Sequence, residues 1–340
     1  MKATSYFNKF SLRFASGASA FGLSVLVLSA CNGSLGSPLS AVPGGSPQVT
    51  RARTTPSPIP FKFQTVDDPN SYKNEVTGIN QRGKIVGTYG AGSASNISQS
   101  YSADPPYTKF RKMNYPGAEG TNATSLSTKR LIAGYVTNPS SLNGVWAFIR
   151  TNGIWSLLKD RKQGDGDNAV TKLLGVNNAE YAVGYYTNSS GVEIPFEVNL
   201  VTENFVNLQP PDAKSAEATG ISGRGNICGT EVLGDGSSEG FYLEKGTYYT
   251  FKYAGAINTW ALGINPNDQI VGQYEDASGN LHGFILTYPN AGSAGRVWQS
   301  VDVPNAVSTK LTGISTHQWI SGSYLDTGGR THGFVGMPKS

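Results

Sequence analysis

The sequence predicts an all-β fold, and three observations point to it. The chain has 42 Gly and 18 Pro among 340 residues, which is too many for a helical bundle. No segment has the i, i+3, i+4 apolar spacing of a long helix. From residue 61 onward, two small residues recur nine positions apart, and the second is always Gly. The pairs are Gly78/Gly87, Ser125/Gly134, Gly175/Gly184, Gly220/Gly229, Gly263/Gly272 and Gly313/Gly322.

The spacing of these pairs indicates repeats of nearly constant size. Successive glycines at the second position are separated by 47, 50, 45, 43 and 50 residues. Four-stranded units of this size are typical of β-propeller blades. We therefore expect a six-bladed β-propeller with repeats of about 47 residues. An open β-solenoid or a pair of sandwiches is the alternative architecture.

Each unit is predicted to contain four short strands. The first ends at Gly-Ile, and an Asn such as Asn80 or Asn265 then opens a tight turn. The second strand reads Ile-Val-Gly-x-Tyr, and its adjacent apolar residues indicate burial on both faces. The third strand is represented by residues 282–286, and the fourth by residues 297–303.

The two ends of the repeat region predict a closed ring. The last unit stops after its third strand, at residues 332–337, and the first is preceded by an unattached strand at residues 61–66. The segment Val66-Asp67-Asp68-Pro69 resembles Val301-Asp302-Val303-Pro304, which follows a fourth strand. We expect the N-terminal strand to complete the sixth blade, so that no sheet edge stays open there. The propeller domain is thus predicted to span residues 61–340.

The first thirty residues have the pattern of a signal peptide. Lys2, Lys9 and Arg13 form a positive region, and the apolar run at residues 20–28 is too short to span a membrane comfortably. The following Leu28-Ser29-Ala30-Cys31 resembles the lipobox of bacterial lipoproteins. The resemblance implies lipidation of Cys31 and cleavage before it. An ordinary secretory signal with an incidental cysteine is the alternative.

Residues 31–60 are predicted to be a tether that starts at the lipidated cysteine. Six Pro lie among Ser and Gly, without hydrophobic periodicity. A flexible chain of this length reaches roughly 30 Å. The resemblance implies an extracytoplasmic, membrane-anchored protein. In a bacterium with two membranes, Asn32 in place of Asp favours the outer membrane, with its periplasmic or outer side left open.

The repeat phrase also resembles a known family. Gly-Ile-Asn-x-x-Gly-x-Ile-Val-Gly-x-Tyr followed by His-Gly-Phe is similar to the bacterial extracellular repeats called the HAF family. The resemblance covers residues 61–337 and is clearest in units one, five and six. Unit two departs from it, with Ser125-Leu126-Ser127 in place of Gly-Ile-Asn. The family implies an exported location and no settled activity.

Charge argues against nucleic acid as a partner. Residues 61–340 contain 22 basic and 23 acidic residues, so the folded region is close to neutral. Nucleic-acid binding needs a concentrated basic surface, and none is evident in the sequence.

The sequence predicts no catalytic residues, no metal site and no cofactor. His282 and His332 precede Gly-Phe at a position that other units fill with Trp, Ile or Glu, which favours a packing role over a ligand role. Cys228 replaces a buried Val of the repeat and is interpreted as a small core residue. The acidic loop at residues 159–172 lacks the EF-hand pattern, although a calcium site there remains the alternative.

Loop lengths predict which face carries function. In each blade, the loop from the second to the third strand lies on the same face as the loop from the fourth strand to the next blade. We call this face the long-loop face. The turns from the first to the second strand and from the third to the fourth lie on the opposite face, called the short-turn face. Function is usually placed on variable loops over a rigid frame. The candidate binding residues are Tyr115, Arg161, Asp165, Asp167, Trp260, Glu275, Asp276, His282, Asp326, Arg330 and His332.

The predicted function is that of a tethered binding or scaffold module. Such a propeller would bind an envelope protein or a glycan, with the lipid on Cys31 holding it to the membrane. The alternative is a hydrolase or lyase that acts on an extracellular carbohydrate or lactone. That alternative rests on fold-level analogy, since propellers also host enzymes at the ring centre.

Overall fold

The computed structural model describes residues 57–68, 71–90, 98–139, 142–158, 170–292 and 295–339. The predicted signal peptide, Cys31 and the tether up to residue 56 lie outside the described residues. Within the described ranges the regular structure consists of β-strands, with no α-helix. Accordingly, that part of the chain contains no helix long and apolar enough to cross a membrane.

The strands follow one another along the chain with short connections. In chain order they are β1 Phe61–Thr65, β2 Asn74–Ile79, β3 Ile85–Gly90, β4 Ser98–Ala103, β5 Arg111–Lys112, β6 Gly120–Leu126, β7 Leu131–Thr137, β8 Val145–Thr151, β9 Ile154–Leu158, β10 Thr171–Val176, β11 Tyr181–Thr187, β12 Glu193–Asn199, β13 Asn204–Asn207, β14 Ser215–Ile221, β15 Ile227–Val232, β16 Ser238–Glu244, β17 Thr247–Phe251, β18 Asn258–Ile264, β19 Ile270–Glu275, β20 Leu281–Thr287, β21 Val297–Val301, β22 Ser308–Ile314, β23 Ile320–Leu325 and β24 Thr331–Pro338.

These strands form six antiparallel four-stranded sheets arranged as the blades of a ring. Blades 1 to 5 are β2–β5, β6–β9, β10–β13, β14–β17 and β18–β21, and blade 6 is β22–β23–β24–β1. Strand β1 pairs with β24 from Phe61 opposite Pro338 to Thr65 opposite Phe334. The predictions of a six-bladed β-propeller and of ring closure by the N-terminal strand are both confirmed.

A β-bulge marks the innermost strand of every blade. The register shifts immediately before the first small residue of each repeat, for example between Val76 and Gly78. In four blades the bulged residue is Thr, and its hydroxyl donates to a backbone carbonyl of the next blade at 2.6–2.9 Å. These residues are Thr77, Thr124, Thr219 and Thr312. The bulge thus lets each inner strand hydrogen-bond to its neighbour around the axis.

The second glycine of each repeat is packed so closely that a Cβ atom would clash with its neighbours. At Gly87 an added Cβ would be 2.4 Å from both the Glu75 carbonyl oxygen and the Tyr101 ring. At Gly134 it would be 2.8 Å from the Phe148 ring. Glycine is therefore required where the bulged inner strand and an aromatic residue of the third strand approach the same backbone.

The hydrophobic core is divided among the blade interfaces. Each of the six apolar clusters in the described chain joins side chains of adjacent blades, as where Ala133 and Ile149 of blade 2 pack with Leu173 and Phe196 of blade 3. Around the axis, a small pocket of about 100 Å³ is lined by residues of all six blades at the short-turn end. The frame therefore leaves little free axial space on that side.

Candidate functional site

A ring of polar and aromatic residues surrounds the axis at the long-loop end of the inner strands. Each member lies three residues before the first small residue of its repeat. All six side chains are partly buried, whereas the next residue of each strand is a fully buried apolar one such as Val76 or Leu173. We call this set the mouth ring: Glu75, Asn122, Lys172, Glu217, Trp260 and Lys310.

Two members of the mouth ring form an ion pair between blades 6 and 1. Lys310 Nζ donates to Glu75 Oε2 at 3.0 Å, and Lys73 Nζ lies 3.7 Å from Glu75 Oε1. Burial raises the pKa of Glu75, but the two ammonium groups outweigh it and hold this pKa below its usual value. Glu75 is therefore an ionised, paired carboxylate at the mouth.

A second group centres on Lys172 and joins blades 2, 3 and 4. Lys172 Nζ donates to Tyr185 Oη at 2.6 Å, and it lies 4.8 Å from the ring centre of Tyr135 and 5.0 Å from that of Tyr185. Burial, together with repulsion from Glu75 and Glu217, raises the pKa of Tyr135 to about 12. These carboxylates belong to blades 1 and 4, the neighbours of blades 2 and 3 on either side.

Glu217 is a titratable group of the mouth ring whose pKa is raised toward neutrality. Burial and then repulsion from Glu193 raise its pKa, Lys172 partly offsets both, and the resulting pKa is about 7. A carboxyl group with this pKa exchanges its proton near neutral pH. Perturbed carboxyls in a cleft are frequent at functional sites.

Replacing Glu217 with Gln is expected to stabilise the protein above about pH 7. The folded carboxyl binds its proton more tightly than the unfolded one, whose pKa is near 4.5, so its contribution to stability falls as pH rises between 4.5 and about 7. The gain at about pH 8 is on the order of 2 kcal/mol, and it vanishes near pH 4.5. Urea unfolding at both pH values measures it. Glu203→Gln, on the exposed β12–β13 turn, serves as the control; equal gains in both variants would contradict the assignment.

His282 and His332 lie in matching Asp-His-Asp arrangements on blades 5 and 6. His332 Nδ1 is 2.6 Å from Asp67 Oδ2, and its Nε2 is 3.0 Å from Asp326 Oδ2. His282 contacts Asp302 at 2.9 Å and Asp276 at 3.4 Å in the same way. Each imidazole also stacks on a tyrosine ring, with centres 4.9–5.1 Å apart. In each blade the histidine thus links the second-to-third turn to the segment after the fourth strand.

His332→Gln is expected to destabilise the protein more at low pH than at high pH. Burial lowers the pKa of His332, but hydrogen bonds with Asp67 and Asp326 raise it above its usual 6.5 overall. The protonated His332 therefore stabilises the folded protein fully below pH 6.5, and this stabilisation is lost as the pH rises through the higher pKa of His332 in the folded state. We expect a loss of about 1 kcal/mol at about pH 5.5 and less at pH 8.5. The exposed His317→Gln is the control in urea unfolding; a pH-independent loss for H332Q would contradict this account.

The other candidate residues are distributed along the long-loop face. Tyr115 packs its ring 5.5 Å from that of Trp155. Glu275 accepts a hydrogen bond from Asn258 Nδ2 at 2.7 Å. Arg330 donates to the Ser71 carbonyl at 2.9 Å and lies 5.7 Å from the Tyr72 ring. Trp260 belongs to the mouth ring. Cys31, Arg161, Asp165 and Asp167 lie outside the described residues.

Five of the six mouth-ring residues were not among the sequence-predicted candidates. A signal was present in the repeat alignment, since the position before a buried apolar residue is charged, amide or Trp in all six units. The described part of the chain brings no three His, Cys, Asp or Glu together in a way that could hold a metal ion. Cys228 is buried, and burial raises the pKa of its thiol to about 12.

The architecture and the mouth ring define a six-bladed β-propeller with a candidate site on its axis. No family model matches the chain, and neither does any curated protein. Among solved structures, it is similar to a protein of unknown function from Dyadobacter fermentans, with a TM-score of 0.55 and 11% identity over 82% of this chain and 98% of that one. It is also similar to a putative TolB from Agrobacterium tumefaciens, with a TM-score of 0.52 and 10% identity over 78% and 91%.

A further similarity is to TolB from Acinetobacter baumannii, with a TM-score of 0.49 and 11% identity. The match covers 72% of this chain and 60% of that one. At these identities the two similarities with TM-scores above 0.5 show the propeller fold and nothing finer.

Proposed function

We propose that this protein is an extracytoplasmic, membrane-tethered propeller that binds an envelope protein or glycan at the mouth ring. The mouth ring itself carries the proposal. The repeats keep the same glycines at their structural positions, yet the ring position differs between blades as Glu, Asn, Lys or Trp. The glycines of the frame are the same in every blade, whereas the mouth-ring residue differs from blade to blade. This pattern favours recognition of an asymmetric ligand at the mouth.

The location in this proposal rests on the N-terminal sequence. The basic start, the short apolar run and the lipobox-like residues 28–31 support export and lipidation of Cys31. The similarity of the phrase to HAF repeats agrees with an exported protein. In a bacterium with two membranes, Asn32 supports placement at the outer membrane. The Ser/Pro/Gly-rich tether lets the propeller extend away from the membrane surface.

Binding by the mouth ring is tested with the full-length chain immobilised and exposed to envelope extract and to a glycan array. Lys172→Met and Trp260→Ala are expected to weaken the affinity for a retained partner at least tenfold, because both truncate partly buried contact residues at the mouth. Val201→Ser, at a residue 71% exposed on the short-turn face, serves as the matched control. Unchanged affinity in both mouth variants would overturn the proposal.

The second candidate function is a hydrolase or lyase acting on an extracellular carbohydrate or lactone. It is favoured by Glu217, whose pKa of about 7 suits a general base or acid, beside Lys172 and Tyr185. Glu217→Gln would then abolish turnover of a carbohydrate or lactone panel while ligand binding persists. Equal turnover by the parent and E217Q would exclude this role for the carboxyl group.

A further inference from the structure

A second cavity lies between blades 1 and 2, on the short-turn face and away from the mouth ring. Its volume is about 650 Å³, within the range of small-molecule sites. The lining comes from the turns of both blades and from strands β4, β5, β6, β7 and β8. Six of the described lining residues are basic and are called here the basic cleft: Arg82, Lys84, Arg111, Lys112, Arg130 and Arg150.

The charge of the basic cleft is poorly compensated. Asp104 is the one acidic residue of the lining, and its Oδ2 lies 3.5 Å from Lys84 Nζ and 3.7 Å from Arg111 Nη1. Within the described ranges, no carboxylate lies at ion-pair distance from Arg82, Arg130 or Arg150. The described lining therefore carries five net positive charges, in a domain that is nearly neutral overall.

Arg150 is the residue that sets this interface apart from the others. It occupies a third-strand position that the other five blades fill with Ala103, Val198, Leu243, Leu286 and Gly336. Its guanidinium lies 5.2 Å from the Trp155 ring, and its Nη1 contacts Met113 Sδ at 3.5 Å. Its Nε is buried and has no hydrogen-bond partner among the described residues. A guanidinium group that lines a cavity without an acidic partner favours an anionic ligand there.

We propose that the basic cleft binds a ligand carrying phosphate groups. Arginine presents paired N–H donors that match phosphate oxygens, and three unpaired arginines converge with Lys84 and Arg111 on one cavity. The volume accommodates a phosphate ester of disaccharide size. The site is independent of the mouth ring and lies on the opposite face, so this inference goes beyond the proposed function. A soluble phosphate ester and an anionic lipid headgroup share the required chemistry.

The test titrates the purified full-length chain with inorganic pyrophosphate by calorimetry at low salt. We expect saturable binding that Arg150→Met weakens about tenfold, because a charge-assisted hydrogen bond is lost while the side-chain volume is kept. The double variant Arg82→Ser/Arg130→Asn is expected to weaken binding by about the same factor or more. Both substitutions lie in exposed turns, so this variant keeps the test valid if Arg150→Met folds poorly.

The repeat supplies a matched control in blade 4. Arg224 occupies the turn position of Arg82, but it pairs with Asp268 at 3.3 Å. Arg224→Ser should leave the affinity for pyrophosphate within twofold of the parent. Absence of pyrophosphate binding, or an equal loss in Arg224→Ser, would overturn the proposal, because the second result indicates nonspecific charge attraction.

Vesicles distinguish the two sources of phosphate. Co-sedimentation with phosphatidylglycerol vesicles that requires Arg150 and is competed by pyrophosphate would identify a lipid headgroup as the ligand. Pyrophosphate binding without vesicle binding would identify a soluble phosphate ester. Vesicle binding that persists in Arg150→Met and in the double variant would contradict a role for the basic cleft in lipid recognition.

Discussion

Gly272→Ala is expected to unfold the protein. An added Cβ would lie 1.9 Å from the Trp260 carbonyl oxygen and 2.8 Å from the Phe284 ring. The carbonyl belongs to the bulged inner strand, and the ring fills the blade 5 core with 0% exposure, so neither can move freely. We expect a loss of more than about 4 kcal/mol, which is comparable with the whole stability of many domains. Soluble yield and urea unfolding measure it.

Gly234→Ala provides the matched control for this substitution. Gly234 lies in the turn between β15 and β16, and nothing is found within 4 Å of an added Cβ there. Its stability should change by less than about 0.5 kcal/mol, because the site is a turn surface without special contacts. If Gly272→Ala unfolds at the same urea concentration as the parent, the close approach of the inner strand to Gly272 is wrong.

The nine-residue spacing of the glycines predicted the fold because two physical needs recur in each repeat. The first small residue follows a bulge next to the neighbouring blade, as at Gly263, whose added Cβ would be 2.6 Å from the Thr312 carbonyl oxygen. The second makes room for the bulged strand and an aromatic ring, as at Gly272. The absence of i, i+3, i+4 apolar spacing distinguished strands from helices, so the number of blades and the order of strands followed from the repeat pattern.

The candidate site was less predictable because it depends on contacts between distant blades. Lys310 and Glu75 are 235 positions apart in sequence and form an ion pair only because blades 6 and 1 are adjacent. The raised pKa of Glu217 likewise depends on the burial that the closed ring provides. Trp260 was named among the candidates, but its membership of a ring of six could be recognised only by comparing the same position across all repeats.

The basic cleft was hidden for a related reason. The overall charge balance of the folded region suggested no concentrated basic surface, since 22 basic and 23 acidic residues nearly cancel. The cleft gathers cations from four separate segments of blades 1 and 2, among them Arg82 and Arg150, which are 68 positions apart. Net charge reports on the whole domain, whereas recognition depends on local charge in a cavity.

Removal of the closing strand has the second-largest expected effect. A chain that lacks residues up to 68 loses β1 and its whole pairing with β24. It also loses Phe61 and Val66, which are 8% and 1% exposed, and the Asp67 partner of His332. Burial of these apolar side chains contributes roughly 2 kcal/mol each. We expect a loss of at least about 4 kcal/mol, together with concentration-dependent association through the exposed edge of β24.

A circular permutant separates the closing role of β1 from its position in the chain. Lys339 N donates to the Pro60 carbonyl at 2.8 Å, so a short turn can join the end of β24 directly to β1. A permutant that begins at Ser71 and carries residues 60–68 after residue 339 keeps all the pairings of blade 6. The free energy of unfolding of the permutant should be within about 1 kcal/mol of that of the parent, and the permutant should stay monomeric. The truncated chain should be less stable and should associate. Urea unfolding measures the stability of both chains, and light scattering measures their association. Equal stability of the truncated and permuted chains would show that ring closure does not stabilise this propeller. A stable permutant and an unstable truncated chain would show that β1 acts through its pairing with β24, wherever it lies in the sequence.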